Sequence, residues 1–173
     1  MATNLQFIKK ETLTSTANNL QVTNCFSANY DVYKIIITKV DTTAVMNMRI
    51  RFIKSDDSID STAKYDSAVQ VLRSYTSISE QRHTGQTYWR YTASSQSASS
   101  FAGNGVEITM YNPFDSSTYT FCKNNSAGFL EGSGLYSPHG VGVHRVEQSN
   151  TGFQLLASNG NYETLEVVVY GVK

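Results

Sequence analysis

Residues 150–172 read NTGFQLLASNGNYETLEVVVYGV and decide the fold class. On each side of residues 159–161, apolar and polar side chains alternate with roughly the period of two that a pleated strand requires. The Asn-Gly pair favours the left-handed backbone angles of tight hairpin turns. The stretch therefore predicts two strands joined by a hairpin turn. Because Val167, Val168 and Val169 are consecutive, both faces of the second strand are expected to be covered.

The rest of the chain predicts further short strands separated by turn-rich segments. Residues 33–40 are dense in β-branched side chains and residues 45–54 alternate strictly, so these two are expected to pair as a hairpin across residues 41–44. Weaker strand patterns lie at residues 5–10, 18–25, 87–92, 105–112, 117–122 and 141–147. About nine or ten strands without a long helix predict an all-β, antiparallel two-sheet sandwich with a jelly-roll-like topology.

Two segments allow more than one interpretation. Residues 65–75 fit both helical spacing and strand alternation, and the sheet-like flanks favour an extended segment over a helix. Residues 127–142 carry five glycines and predict a long loop with short edge pairing. No linker divides the chain, so residues 1–173 are expected to form one domain, with residues 1–17 as a peripheral or anchoring N-terminal segment.

The composition limits the classes of partner. The 173 residues are 40% hydrophobic, which suffices for one core, and 14 basic residues balance 14 acidic ones. Nucleic acid is not expected as a partner, because a phosphate-binding protein carries a basic surface. No stretch reaches the ~20 apolar residues of a membrane span, and the N-terminus has no apolar run of signal-peptide length, so a soluble protein made in a cytoplasm is expected. Cys25 and Cys122 could pair only if the fold brings them together, and two reduced thiols are the favoured interpretation.

The histidines and acidic residues do not form a metal-binding pattern. His83, His139 and His144 are the only histidines, and Glu147 is the only carboxylate near the last two. A metal site needs ligands at defined spacing, so loop histidines that are exposed or hydrogen-bonded are favoured over a metal centre. The acidic run at residues 56–60 lacks the glycine and the distal glutamate of a calcium-binding loop, which favours a solvated loop.

No catalytic signature is present either. No serine lies in the Gly-x-Ser-x-Gly pattern of a hydrolase nucleophile. Glycoside hydrolysis would need two acids facing each other across a cleft, whereas alternation places Glu107, Glu163 and Glu166 mostly outward. The sequence therefore predicts a protein without enzymatic activity, cofactor or metal.

An aromatic segment is the best candidate for recognition. Tyr88, Trp89 and Tyr91 surround Arg90 and could form a platform for a sugar ring or part of a subunit interface. Strand alternation would bury either Trp89 or the two tyrosines, and would leave the others exposed. Tyr136, in the glycine-rich segment, is a further candidate for glycan or interface contact.

Three phrases carry a family resemblance. They are CFSANYDVYKIII at residues 25–37, EITMYNPF at residues 107–114, and SNTGFQLLAS at residues 149–158 together with the ending VYGVK. In these phrases the chain resembles small virion structural proteins of marine tailed bacteriophages, of the cyanophage and pelagiphage type. The resemblance spans nearly the whole chain, and its motifs consist of strand starts and turns.

The resemblance implies a compact β-sandwich that serves as a capsid decoration, a tail-fibre appendage or a knob, with no catalytic residues. The expected location is the virion. The expected partners are capsid, neck or tail proteins and copies of the chain itself, most plausibly in a homotrimer. The alternative hypothesis is a lectin-like module that recognises a host surface glycan through the aromatic residues Tyr88, Trp89, Tyr91 and Tyr136.

Overall fold

The computed structural model describes residues 4–95, 104–130 and 134–173, and of residues 91–95 and 130 it describes only the backbone. These residues form twelve β-strands, and none of them belongs to a helix that could cross a membrane. The strands are β1 (Leu5–Thr12), β2 (Asn19–Val22), β3 (Val32–Thr42), β4 (Met46–Lys54), β5 (Tyr65–Arg73), β6 (Ser79–Gln86), β7 (Trp89–Ser95), β8 (Asn104–Tyr111), β9 (Thr120–Leu130), β10 (Gly134–His144), β11 (Asn150–Ala157) and β12 (Tyr162–Val172).

The strands form two sheets with the topology of a jelly roll. The larger sheet has the order β1-β12-β3-β8-β9-β10-β5-β6, and the smaller has the order β2-β11-β4-β7. The antiparallel pairs β1·β12, β2·β11, β3·β8 and β4·β7 are nested in the chain and alternate between the two sheets. A long hairpin rolled up on itself gives this arrangement. The predicted all-β sandwich is confirmed, with twelve strands instead of nine or ten.

Two hairpins expected from the sequence do not form. β3 and β4 lie in different sheets, and so do β11 and β12. Residues 159–161 do turn tightly, with Gly160 at a φ of 63°, but this turn carries the chain from one sheet to the other. It lies against the β3–β4 connection, where Thr43 N donates to Asn161 O and Asn161 N donates to Thr43 Oγ1, both at 2.9 Å. Alternation reveals a strand but not its pairing partner.

Two inserted hairpins extend the larger sheet from four strands to eight. The β5–β6 hairpin lies between β4 and β7 in the chain, and the β9–β10 hairpin lies between β8 and β11. We refer to β1, β12, β3 and β8 as the jelly-roll half of this sheet, and to β9, β10, β5 and β6 as the inserted half. The extended state expected for residues 65–75 is confirmed, because β5 buries alternate residues such as Tyr65 and Val71.

The loop expected at residues 127–142 is wrong, since most of this segment belongs to β9 and β10; residues 131–133 lie outside the described part. Gly140 and Gly142 occupy inward positions where neighbours come close. A Cβ atom on Gly142 would lie 3.0 Å from both Trp89 Nε1 and Cys122 Sγ, and one on Gly140 would lie 2.8 Å from Asn124 Oδ1. Glycine in this strand therefore makes room for packing instead of breaking the strand.

The core between the sheets is mainly apolar and aromatic. Phe26 and Phe153 stack with ring centroids 5.8 Å apart, and both cysteines are buried thiols that form no disulfide, as favoured from the sequence. On the closing strand β12, Val167 and Val169 face this core, whereas Val168 stays partly exposed on the other side. The largest fully buried side chains are Trp89, Tyr33, Tyr65, Tyr162, Phe52, Phe153, Ile35, Ile37, Met48, Ile50 and Ile53.

Candidate functional site on the outer face of the larger sheet

The outer face of the eight-stranded sheet is the side turned away from the smaller sheet. On this face the side chains of neighbouring strands stand opposite one another in rows, spaced by about 4.8 Å from strand to strand. The central row, from β6 to β1, consists of Arg82, Ala68, Val141, Lys123, Thr109, Lys34, Tyr170 and Phe7. The two halves of the sheet present different chemistry along these rows.

In the jelly-roll half the outer face carries an apolar patch. Phe7 is 60% exposed and contacts Tyr170 edge to face, with ring centroids 6.2 Å apart. Ion pairs border the patch, with Lys34 Nζ 2.9 Å from Glu107 Oε1 and a second pair between Lys10 and Glu166. The patch consists of Leu5, Phe7, Val32, Tyr111, Tyr170 and Val172, which are opposite one another or two residues apart on β1, β12, β3 and β8.

In the inserted half the same face forms a shallow cationic groove. Its floor consists of Ala68 and Val141, which stand opposite each other, and Arg82 and Lys123 stand at its two ends. Two adjoining depressions of about 460 Å³ and 610 Å³ share these four residues. Those volumes lie within the range of small-ligand pockets. Within the described residues, neither Arg82 nor Lys123 has an ion-pair partner.

The two walls of the groove differ in polarity. One wall is the polar row of Glu80, Gln70, His139 and Asn125, which are opposite one another on β6, β5, β10 and β9, so this wall also carries a carboxylate. His139 Nδ1 lies 3.0 Å from Asn125 Oδ1, and its Nε2 lies 3.0 Å from Ser137 Oγ, so both ring nitrogens are held in place. The other wall includes the apolar residues Val143 and Phe121, the latter 49% exposed, and Asp66, whose carboxylate is ion-paired with Arg145.

The hydrogen-bonded side chains on this wall have the residue types of a nucleophile, a base and an orienting group, namely Ser137, His139 and Asn125. The Ser137 hydroxyl, however, donates to the Ser126 carbonyl oxygen at 2.6 Å, so its proton is directed away from the imidazole. Strand interiors also use their backbone N–H groups in the sheet ladder, which leaves no pair of donors for an oxyanion. The arrangement fits ligand binding better than acyl transfer.

A buried His–Asp pair lies behind the groove. His144 and Asp60 are both buried, and His144 Nε2 lies 3.0 Å from Asp60 Oδ2. The His144 ring also stacks on Tyr65, with centroids 4.3 Å apart. Burial alone would raise the pKa of Asp60, but hydrogen bonds from His144 and from the Thr62 N–H and hydroxyl outweigh it and hold that pKa below its usual range. The loop assignment for His144 and the solvated state expected for Asp60 are therefore wrong, whereas Asp56 is exposed as expected.

The pair continues into a polar network that joins several chain segments. Gln148 Nε2 donates to Asp60 Oδ2 at 2.9 Å and to Asn150 Oδ1 at 2.8 Å. Asn150 Nδ2 in turn donates to the Pro113 carbonyl oxygen at 3.1 Å. The network links the β4–β5 connection, the end of β10, the start of β11 and the turn between β8 and β9. Because its centre is enclosed, it positions the inserted hairpins and does not itself contact a ligand.

The aromatic candidates whose side chains the structure describes do not form an exposed platform. Trp89 is fully buried and its Nε1 donates to the Val143 carbonyl oxygen at 2.9 Å, and Tyr136 is buried beside the Arg73 guanidinium. Tyr88 is half-buried, with the Arg49 guanidinium 4.3 Å above its ring. For Tyr91 only the backbone is described, paired with Met48 on β4.

The other candidates are dispersed over the molecule. All three histidines lie on strands, His83 on β6 and the other two on β10. Burial, and then the charge of Arg90, lower the pKa of His83. Glu107 and Glu166 are ion-paired on the outer face, and Glu163 is exposed. Among the described residues no three histidine, cysteine or acidic side chains are close enough to hold a metal ion.

The fold and its surface define a class of protein: a jelly roll with an extended sheet that presents a groove and an apolar patch on one face. No protein-family model matches the chain, and no curated protein matches it. Jelly rolls occur both in viral capsid proteins and in lectins, so the fold alone does not decide between assembly and glycan binding.

Proposed function

We propose that the protein is a non-enzymatic structural protein on the surface of a tailed bacteriophage particle, where it binds copies of itself and other virion proteins. The apolar patch is the observation that supports this proposal most directly. In the isolated chain Phe7, Leu5 and Tyr111 are 60%, 45% and 38% exposed. A contiguous apolar patch bordered by polar residues is often an interaction site. A homotrimer on the capsid or on a tail appendage would cover it.

The patch has the composition of an interface centre. Its aromatic and aliphatic side chains are bordered by ion pairs, as in interfaces with an apolar centre and a polar rim. Each residue on one face occupies about 4.8 by 6.8 Å of the sheet, so the six residues give the patch an area of about 200 Å². A stable interface buries about 800 Å² on each partner. The partner must therefore also cover the rim, including Lys10 and Lys34.

Size-exclusion chromatography with light scattering tests the assembly. We expect the wild-type chain to form an oligomer, and the double substitution Leu5→Ser with Phe7→Ser to yield monomers, since it removes two exposed anchors from the edge strand without disturbing the core. Val45→Ser is the matched control, because Val45 is 51% exposed but lies on the β3–β4 connection, off the patch. A wild-type chain that stays monomeric at high concentration and does not bind particles lacking it would contradict the proposal.

Recognition of a host surface glycan is a second candidate function, favoured by the cationic groove. Its polar wall is fixed before any ligand binds, because His139 is held by Asn125 and Ser137. Pre-organised polar groups beside an apolar wall are typical of small-ligand sites and lower the entropy lost on binding. The groove lies mainly in the inserted half of the sheet and the patch in the jelly-roll half, and the two adjoin at Tyr111, which belongs to the patch and lines one depression of the groove.

A further inference from the structure

The cationic groove has a defined length and shape. Arg82, Ala68, Val141 and Lys123 are directly opposite one another on β6, β5, β10 and β9. Three inter-strand spacings separate the Cα atoms of Arg82 and Lys123, which is about 14 Å. Between the two long cationic side chains the floor residues are small. The groove therefore accommodates an elongated ligand that lies across the strands with a cation at each end.

The charge of the groove is available to a ligand. Arg82 and Lys123 are both exposed, and within the described residues neither forms an ion pair. On the same face, by contrast, Lys34 and Lys10 are each 2.9 Å from a glutamate oxygen. An anionic group in the groove would gain charge-assisted hydrogen bonds without displacing an existing partner.

The two walls and the floor distinguish a saccharide from a peptide. A sugar ring has hydroxyl groups around its edge and an apolar C–H face, which match the wall of Gln70, His139 and Asn125 and the wall containing Phe121. An extended peptide binds a sheet through unpaired backbone groups at a strand edge. β5, β10 and β9 each pair on both sides, so the floor offers no such groups. We propose that this groove binds a short acidic oligosaccharide, with carboxylate or sulfate groups on Arg82 and Lys123. The proposal specifies the second candidate function and does not depend on the assembly proposal.

Calorimetric titration of the full chain with defined probes tests the site. The probes are a hyaluronan oligosaccharide, which carries uronic acids, a heparin oligosaccharide, which also carries sulfates, a neutral chitin oligosaccharide of equal length, and a poly-glutamate peptide. We expect at least one acidic saccharide to bind about tenfold more tightly than the neutral one, because loss of one charge-assisted contact costs about that factor. It should also bind more tightly than poly-glutamate, which carries carboxylates but has no sugar ring to contact the two walls. Raising the salt concentration is expected to weaken this binding.

Substitutions assign the binding to the groove. Lys123→Ala and Arg82→Ala are each expected to reduce affinity for the acidic saccharide about tenfold. Lys34→Ala is the matched control, because Lys34 stands in the same row but is paired with Glu107, and it should retain wild-type affinity. All three side chains are on the surface, and unchanged melting temperatures would confirm intact folding.

Several results would overturn the proposal: no affinity for either acidic saccharide, equal affinity for the neutral saccharide or for poly-glutamate, or an equal loss in Lys34→Ala. The test also separates the two functions of the sheet. The Leu5→Ser, Phe7→Ser double variant should lose the oligomer but retain saccharide binding. Lys123→Ala should retain the oligomer and bind the acidic saccharide about tenfold more weakly. The two proposals can therefore fail independently, and these two variants show which of them has failed.

Discussion

The two halves of the eight-stranded sheet have different interiors. In the jelly-roll half, the inward side chains are mainly apolar; Ile35, Ile108 and Val167 are each fully buried against the smaller sheet. In the inserted half, the inward positions of β9 and β10 include buried polar residues, among them Thr120, Asn124, Ser126 and His144. Apolar burial contributes stability in proportion to area, whereas a buried polar group contributes little unless its hydrogen bonds are made.

The exteriors differ as well. The jelly-roll half presents the apolar patch, and the inserted half presents the cationic groove with its pre-formed polar wall. This difference indicates a division of roles, in which the jelly-roll half supplies the core and an assembly surface and the inserted hairpins supply the groove. The polar network around Asp60 and His144 then holds β10 in place. The groove residues His139 and Val141 lie on this strand.

The largest loss of stability is expected from truncating a side chain in the core under the jelly-roll half. Phe153→Ala removes a fully buried ring that stacks on Phe26, and should lower the free energy of unfolding by about 3–5 kcal/mol. Phe121→Ala is the matched control, since the same side chain is 49% exposed on the outer face, and should cost less than about 1 kcal/mol. Urea denaturation followed by circular dichroism measures both. Equal losses would mean that the outer face is buried in solution.

The sequence predicts the jelly-roll half better than the inserted half, for a physical reason. In β8 the inward residues Val106, Ile108 and Met110 are the apolar ones, so alternation identifies both the strand and its buried face. In β9 the pattern is inverted, because the outward Phe121 is more apolar than the inward Asn124. Alternation alone would therefore assign the wrong face of β9 to the core.

The groove residues could not be found from the sequence for a related reason. Arg82, Lys123 and Ala68 are distant in the chain and meet only through the register of β6, β5, β10 and β9. Likewise, nothing local to Asp60 indicates that His144 lies beside it. The aromatic segment around Trp89 gave a clear pattern, and the structure uses it for the core, where a large apolar ring contributes most.

The second-largest effect is expected in the polar network of the inserted half. Asp60→Asn places an amide opposite two donors, His144 Nε2 and Gln148 Nε2, and should lower the free energy of unfolding at neutral pH by about 2–4 kcal/mol. Asp57→Asn is the control, because Asp57 lies in the same loop and is exposed. If the two variants are equally stable, the network does not hold the inserted half.

The same substitution predicts a pH dependence. The hydrogen bonds to Asp60 hold its pKa in the folded state below the unfolded value of about 3.9. Its contribution is therefore fully present above that pH and is lost as the pH falls through the lower folded-state pKa. Denaturation midpoints of wild type and Asp60→Asn should differ most at neutral pH and converge in strong acid. A gap that widens in acid would contradict the assigned ionisation.

The smallest loss of stability is expected when one glycine of either half is replaced by alanine, which adds a single methyl group. Gly142→Ala would place a Cβ atom 3.0 Å from Trp89 Nε1, and overpacking of this kind costs about 1–3 kcal/mol. Gly105→Ala is the control on β8, because its Cβ would meet nothing closer than the Ile37 carbonyl oxygen at 4.0 Å. That change should leave stability unchanged or raise it slightly, since alanine has less conformational freedom to lose.

Trp89 is the only tryptophan of the chain, so its fluorescence should change in Gly142→Ala and stay the same in Gly105→Ala. Unchanged emission in both variants would mean that β10 moves to accommodate the added methyl group without displacing Trp89. The inserted half would then be too flexible to hold the groove residues in one arrangement.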